Sequence, residues 1–595
     1  MKLEAVRHTG SYPDIYLTDR RTLVVTLRTA KRDADACRIH YFARTAPEKK
    51  KTQTLRFLYR DSLYDYYQGT LCFHQVARYQ KYYFELTEGE EIFYLTAQGV
   101  QSSQPEGGYF EFLYANRTGI VDLPAWSQGQ VFYQIFPERF ANGDSSNDPE
   151  GVKPWGTAPD RDNYMGGDLQ GILEHLDYIR ELGADCIYLN PVFRGDFNHK
   201  YATTDYYQID PAFGTSEDFR KLVHAVHEKG MKIILDGVFN HSGVHFEPFR
   251  DVLQNGEKSP YRDWFYPVSF PIGITHHDYE CVGAYKYMPK LNTGNPSVRS
   301  YFLKVMEYWI REFHIDGWRL DVADEVDEGL WEEARLLLKD RYPETILIGE
   351  TWGSGLRLMN GAQMDAVMNY VFRDAVKDFI ALENIDAEAF DGRVEKMLSD
   401  YPAEMDRAMY LPLDSHDTER FLSCCGGDRR KLKAAAALYM MFVGSPVIYY
   451  GDEIGMEGQN DPDCRRCMIW EADRQDRDLL DWYKKLIRIR HGEPAIRSGA
   501  FYADVCENRM YAFSRIDSQE NILTVINASA EEQTVVVPVR YVTDFRDLLT
   551  DEVFPSEAGE GWREKARLGD KVHYQGSLMI RIKPYEAKIL KEERK

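Results

Sequence analysis

A chain of 595 residues is too long for one hydrophobic core, so three or four domains are expected. Its 95 Asp and Glu outnumber 73 Lys and Arg, and the formal net charge of −22 argues against nucleic acid or an anionic membrane as partner and leaves a neutral polymer as the better fit. The first twenty residues lack the apolar centre of a secretory signal, no apolar run reaches membrane-spanning length, and nine scattered Cys fit reduced thiols, so a cytoplasmic protein is expected.

Residues 1–120 carry short alternating runs, among them Thr22-Leu23-Val24-Val25-Thr26-Leu27 and Tyr82-Tyr83-Phe84-Glu85-Leu86, which predict a β-sandwich. A polar stretch with Gly and Pro at about 115–130 reads as a linker. Eight apolar runs of strand length follow, at 131–136, 184–192, 231–238, 315–322, 345–350, 366–370, 409–413 and 446–450. Helical segments separate them. Thr215-Ser216-Glu217-Asp218 opens one as a near capping box, with Gly230 closing it. Asn295-Pro296 opens another, on which Tyr301, Val305, Trp309 and Phe313 share a face, and a third covers 434–442. Strand-helix alternation implies a parallel sheet covered by helices, and eight strands close a (β/α)8 TIM barrel, placed at 121–498. The stretch 242–292, after the third strand, is too long for an ordinary βα loop and reads as a small inserted domain. From 499 to 595, runs such as Ile522-Leu523-Thr524-Val525-Ile526 predict a second sandwich.

Four of the eight runs end in acids or histidines. In Gly317-Trp318-Arg319-Leu320-Asp321-Val322, side chains alternate with period two, so Arg319 and Asp321 point the same way and the cation would hold the carboxylate ionised. The others end at Asp236 with Asn240-His241 beyond it, at Glu350-Thr351-Trp352, and at Asp414-Ser415-His416-Asp417. A structural ion pair would explain one of these. Buried carboxylates cost several kcal/mol unless paired, so acids repeated at strand ends read as one shared site, and barrel sites lie at that end.

These four segments resemble, in order and relative spacing, the four signature regions of the α-amylase superfamily, glycoside hydrolase family 13. Met288-Pro289-Lys290-Leu291-Asn292 resembles the signature of its neopullulanase, cyclomaltodextrinase and maltogenic amylase group, and the similarity includes a domain ahead of the barrel. The resemblance implies a retaining α-glucan hydrolase with transglycosylation capacity. Its substrates would be cyclomaltodextrins, pullulan, starch and maltooligosaccharides, cleaved at α-1,4 bonds with α-1,6 bonds as a further expectation. It makes 242–292 the superfamily's domain B. An exo-acting α-glucosidase or oligo-1,6-glucosidase is the nearest rival, against which the M-P-K-L-N run and the N-terminal domain speak. A non-catalytic glucan-binding or transporter-associated relative is the other, and it would be expected to have lost an acid.

Residue by residue, the resemblance makes Asp321 the nucleophile, held by Arg319, and Glu350 the general acid, whose place between an apolar run and Trp352 should raise its pKa. Asp417 would grip sugar hydroxyls. His241, His416, Asp236 and Trp352 join the substrate-binding set, with Tyr201 as a platform beneath the sugar, although Ala202 stands where an Asp is common. Glu325 corresponds to a position that handles the acceptor, and Asp461 with Arg465 to residues for the non-reducing end; a surface acid and a solvated loop are the plain alternatives. Asn142, Asp144, Asn147 and Asp148, completed by Gly166 and Asp168, bunch oxygen ligands that suit Ca2+, or else form an Asx-rich turn. The group has a structural calcium at this motif, and its N-terminal domain forms a homodimer that covers the partner's barrel mouth. Cys464-Arg465-Arg466-Cys467 lacks the second pair that a zinc site needs.

Overall fold

A computed structural model describes residues 1–593 apart from 62, 117–118, 276 and 560–573. The centre is a closed barrel of eight strands: β1 (Phe132–Ile135), β2 (Cys186–Leu189), β3 (Lys232–Gly237), β4 (Gly317–Leu320), β5 (Ile346–Thr351), β6 (Ala366–Asn369), β7 (Tyr410–Pro412) and β8 (Ser445–Tyr449). Neighbours run parallel all round, with β8 returning to β1. Each of the eight predicted runs overlaps one of these strands; six contain theirs whole, while Thr351 and Ser445 lie one residue outside the runs 345–350 and 446–450. Several runs are longer than their strands because buried turn residues such as Val192 and Ile315 extend the apolar signal beyond the ladder.

Helix α1 (Ser216–Glu228) begins in a full capping box, with the Thr215 hydroxyl accepting from the Asp218 N–H and the Asp218 carboxylate accepting from the Thr215 N–H. Helix α2 (Pro296–Phe313) is capped by Asn295 and buries Val305, Trp309 and Phe313 against the barrel, with Tyr301 at the edge of that face. The third predicted helix is longer than its pattern, at Arg429–Met441.

Period-two alternation sorts each strand into an outward and an inward set. The inward set is apolar near the base, where Phe132, Cys186, Ile234, Ile346, Ile348, Ala366 and Val447 fill one cluster. Two to four residues further along the same columns stand Gln134, Asn190, Asp236, Arg319 and Glu350, all buried. The base is also closed from outside. The stretch read as a linker holds a short turn, Ala125–Ser127, whose Trp126 packs against the interior cluster and donates its indole N–H to the Glu344 carbonyl at 2.8 Å. It is a plug rather than a loose connector: Ala115 and Ile120 join the N-terminal core, and Val121, Leu123 and Trp126 pack on the barrel.

Between β3 and α2 the chain leaves the barrel through helix Glu247–Asn255 and several short turns. It comes back where it left: His241 bridges to Lys290, and Leu291 N–H donates to the Asn240 carbonyl at 3.0 Å. The N-terminal residues form two antiparallel sheets, one of Ile15–Asp19, Thr22–Ala30, Tyr64–Cys72 and Arg56–Arg60, the other built around Arg78–Glu88, with Leu23, Val25, Ile39, Phe84 and Leu86 buried between them. At the other end, two further sheets start at Ala500 and enclose Leu523, Val525, Val537 and Leu578. Among the described residues no helix is long and apolar enough to cross a membrane.

One buried acid in this last domain makes its stability depend on pH. Asp504 is buried, accepts from the Ser514 hydroxyl at 2.5 Å, and burial pushes its pKa up to about 7. An acid raised in the folded state favours folding while it is protonated, and that stability is lost as pH rises through the folded pKa. Asp504→Asn, which keeps a carbonyl for Ser514, should therefore raise the melting temperature at pH 8.5 and leave it nearly unchanged near pH 4. The full effect approaches about 4 kcal/mol. Equal shifts at the two pH values in differential scanning fluorimetry would refute this.

Candidate active site

At the carboxyl end of the barrel a single guanidinium organises three acids. Arg319 is fully buried, and its Nη1 meets both Asp236 oxygens at 2.9 and 3.0 Å and Asp321 Oδ1 at 2.8 Å. Its Nη2 lies 2.8 Å from Glu350 Oε1. The register explains this: Asp236 pairs directly with Arg319 across β3 and β4, and Glu350 is two residues past the partner of Arg319 on β5. Asp236 also accepts the hydroxyls of Tyr188 at 2.6 Å and Tyr201 at 2.8 Å. Its oxygens are thus fully engaged, and it lies behind the cleft wall instead of lining the cleft.

The expectation that Arg319 alone would keep Asp321 ionised is corrected by this sharing. Burial, with the neighbouring Glu350, pushes the Asp321 carboxyl well above the usual range against the opposing Arg319. Burial also raises Glu350, which Arg319 and the Val322 N–H at 2.9 Å oppose. Trp352 is not the cause, since it is half exposed and stacks flat on Tyr370, centroids 4.4 Å apart at 3°. Asp417 goes the other way. Burial works against its charge, yet His416 Nε2 at 3.0 Å and Arg465 Nη2 at 3.1 Å hold it well below the carboxylate range. Two carboxyls inclined to keep a proton therefore face one that stays ionised.

Asp321, Glu350, Asp417, His241, Tyr201, Trp352, Asp461 and Arg465 line one cleft of about 720 Å³. His241 presents two buried ring nitrogens without protein partners, and burial takes its pKa down to about 3, so a neutral imidazole faces the cleft. His416 is buried beneath, parallel to Tyr201 at 5.4 Å and 3°. Tyr201 is carried by a hairpin, Phe193–Gly195 with Thr203–Ile209, anchored by a buried ion pair of Lys200 and Asp210 at 2.9 Å; Ala202 is buried within it. Arg465 ties the far side together by also meeting Asp461 at 2.9 Å and the His416 carbonyl at 2.8 Å. Glu325 stands apart, half exposed, with its carboxylate 3.7 Å from Lys290. The sequence reading missed His199, Phe197, Tyr285 and Tyr287, which also line the cleft. His199 immediately precedes the Lys200-Tyr201 pair, so its proximity in the chain was the one available signal.

The oxygen-rich loop after β1 divides in two. The Asp168 carboxylate is consumed by the N–H groups of Gly143, Asp144 and Gly171 at 3.0, 2.8 and 2.6 Å, and caps helix Leu169–Glu174. Asp144 turns onto Ser146. The remaining donors do converge: the Asn142 amide faces Asp148 Oδ1 at 2.8 Å, Asn147 Oδ1 is buried without a partner, and a Cβ on Gly166 would meet Asp148 Oδ1 at 2.2 Å. Asn142, Asn147, Asp148 and a Gly166 carbonyl are hard oxygen donors of the kind a calcium ion takes. Among the described residues no three His, Cys, Asp or Glu gather as a metal set, and Cys464 and Cys467 are free thiols.

Residues 134–499 match the family described as alpha amylase, catalytic domain, and residues 1–116 the one described as alpha amylase, N-terminal ig-like domain. A cyclomaltodextrinase of Thermoanaerobacter pseudethanolicus is 42% identical over 539 residues, 89% of this chain and 93% of its own. Neopullulanase 2 of Thermoactinomyces vulgaris is 41% identical over 603 residues, covering 99% of each. Among solved structures, a cyclomaltodextrinase superposes with a TM-score of 0.91 at 38% identity over the whole of both chains.

Proposed function

The chain belongs to the α-amylase family of glycoside hydrolases, and from that premise we propose that it cleaves α-1,4-glucosidic bonds, and α-1,6 bonds as a second activity, in cyclomaltodextrins, pullulan, starch and maltooligosaccharides. The names of its relatives supply the substrate class. The observation that carries the chemistry is the placing of Asp321 and Glu350 on adjacent nitrogens of one guanidinium. Two carboxyl groups held by one cation suit the retaining geometry, roughly 5 to 5.5 Å, better than the wider spacing of an inverting pair.

In this reading Glu350, protonated because burial raises its pKa, donates to the glycosidic oxygen as the bond breaks, and Asp321 attacks the anomeric carbon. The sugar is then held as a covalent ester while Asp417 and His241 meet its hydroxyls. Glu350, now ionised, takes a proton from water for hydrolysis or from a sugar hydroxyl for transglycosylation. The product keeps the α configuration. Proton NMR of the first-formed sugar from β-cyclodextrin checks this, and a β anomer would exclude it. Asp321→Asn should lower kcat by a factor of about 10⁴ or more with binding retained. Glu350→Gln should be slow on natural glucans and much less impaired on substrates with good leaving groups, since these need little protonation.

The same reading includes a structural calcium held by Asn142, Asn147, Asp148 and the Gly166 carbonyl, supported by the orphaned Asn147 oxygen. When bound it would tie the loop after β1 to the one before helix Leu169–Glu174 and take no part in the reaction. EDTA should lower the melting temperature while activity at low temperature persists, because a ligand of the native state stabilises by mass action. An unchanged melting temperature, with no calcium by elemental analysis, would remove it.

A cytoplasmic homodimer completes the reading. The odd number of scattered Cys supports the compartment, and exposed Ile92, Leu113 and Tyr114 support an interface on the N-terminal domain. The 69.2 kDa chain should sediment as a dimer at micromolar concentration, and Leu113→Asp should shift it toward monomer. A monomer at that concentration would end the dimer proposal.

A further inference from the structure

His416 has no contact with solvent, and both of its ring nitrogens meet polar neighbours. Nδ1 lies 2.9 Å from Gln134 Nε2 and 3.2 Å from Asn190 Nδ2; Nε2 lies 2.5 Å from Tyr201 Oη and 3.0 Å from Asp417 Oδ2. Which nitrogen carries the proton follows from the surrounding bonds, traced from a group whose direction is fixed. Arg319 can only donate, and it donates to both Asp236 oxygens. Asp236 therefore accepts, and the hydroxyl protons of Tyr188 and Tyr201 are both spent on it.

The oxygens of these tyrosines lie 3.2 and 3.1 Å from the Asn190 amide, and with their protons committed they can only accept. Asn190 must turn its NH2 toward them, which leaves its carbonyl to accept from Gln134 Nε2 at 3.1 Å. Gln134 is fixed in turn, since reversing it would set two carbonyl oxygens face to face. The Gln134 NH2 is thus the group that meets His416 Nδ1. The second path gives the same answer: Tyr201 Oη has no proton left for His416, so the 2.5 Å contact must use a proton on Nε2.

We propose that Gln134 and Asn190 are positioning residues that hold His416 in the tautomer with its proton on Nε2, so that an N–H donor faces Tyr201 and Asp417. The alternative tautomer would set a lone pair against the Asp417 carboxylate and break a bond on each side of the ring. This rests on the reading of Asp417 as a participant in the reaction, and the tautomer itself is measured without turnover.

The experiment is two-bond 1H–15N NMR on enzyme labelled with 15N-histidine at pH 7, with the His416 signals assigned by their loss in His416→Gln. The expected result is a protonated Nε2 and a bare Nδ1. Gln134→Glu, which replaces the donor at Nδ1 with an acceptor of the same shape, should place a proton on Nδ1. It should also lower kcat/KM on β-cyclodextrin tenfold to a hundredfold, about the usual cost of losing the partner that orients a functional imidazole. A parent spectrum with the proton on Nδ1 overturns the proposal, as does a Gln134→Glu enzyme whose tautomer changes without loss of rate. If Gln134→Glu does not fold, Asn190→Asp sets an acceptor at the same nitrogen, and the parent spectrum decides by itself.

Discussion

One buried cation, Arg319, is the constraint on which the site depends. Taking a guanidinium out of water costs several kcal/mol, and the cost is met only when its donors are all satisfied in good geometry. Here Asp236 and Asp321 accept hydrogen bonds from Nη1, while Nη2, which makes no hydrogen bond, has the Glu350 carboxylate 2.8 Å away as its counter-charge. Because one positive charge cannot neutralise three carboxylates in a dry interior, the cluster tends to retain protons, and burial raises Asp321 and Glu350 accordingly. The same cation fixes the direction of every bond beyond Asp236, through Tyr188, Tyr201, Asn190 and Gln134 to His416. A protein that replaced Arg319 would lose both the charge balance and the orientation of the network.

The barrel makes this arrangement possible because closure leaves no edge and period-two alternation aims one column of each strand inward. The lower part of each column is apolar and, with Trp126 beneath, shuts water out of the base. The upper part is polar and opens to the cleft. Some backbone strain accompanies the change from strand to loop: Val322, directly after Asp321, sits in the left-handed region at φ 43°. A β-branched residue there costs of order 1 to 3 kcal/mol. The twist aims its N–H at Glu350, so the strain is located where it sets a donor on a reacting carboxyl.

The acids of the site were legible in the sequence, and so was the eightfold strand count, because a carboxylate closing an apolar run has few explanations besides a shared site. Gln134, Tyr188 and Asn190 were not. Uncharged amides and hydroxyls at strand ends carry no burial cost large enough to demand a functional reading, and their roles arise only from who faces whom across the barrel. Trp126 was hidden for a related reason: a few apolar residues scattered in a polar stretch show no period, and only closure of the barrel gives Trp126 a surface to fill. Asp144 and Asp168 illustrate the opposite failure. Composition marks an oxygen-rich loop, but a helix cap and a metal site use the same residues, and only the hydrogen bonds separate Asp168, which is spent, from Asn147, which is not.

The three acids differ through their surroundings and not through residue type. Asp417, between His416 and Arg465, is held below the usual carboxylate range, which favours the ionised form that accepts from a substrate. Asp321 and Glu350 share their cation and their reluctance to ionise together, so the proton they keep can move to whichever is offered an acceptor. On the proposed mechanism a bound glucan makes the choice: its glycosidic oxygen takes a hydrogen bond from Glu350, while its anomeric carbon offers Asp321 nothing to donate to. Binding therefore draws the proton onto Glu350 and leaves Asp321 anionic, with Arg319 to stabilise it, at the moment a nucleophile is required. The raised pKa of Asp321 in the empty site is then compatible with its role, because the substrate supplies the asymmetry that the symmetric guanidinium does not.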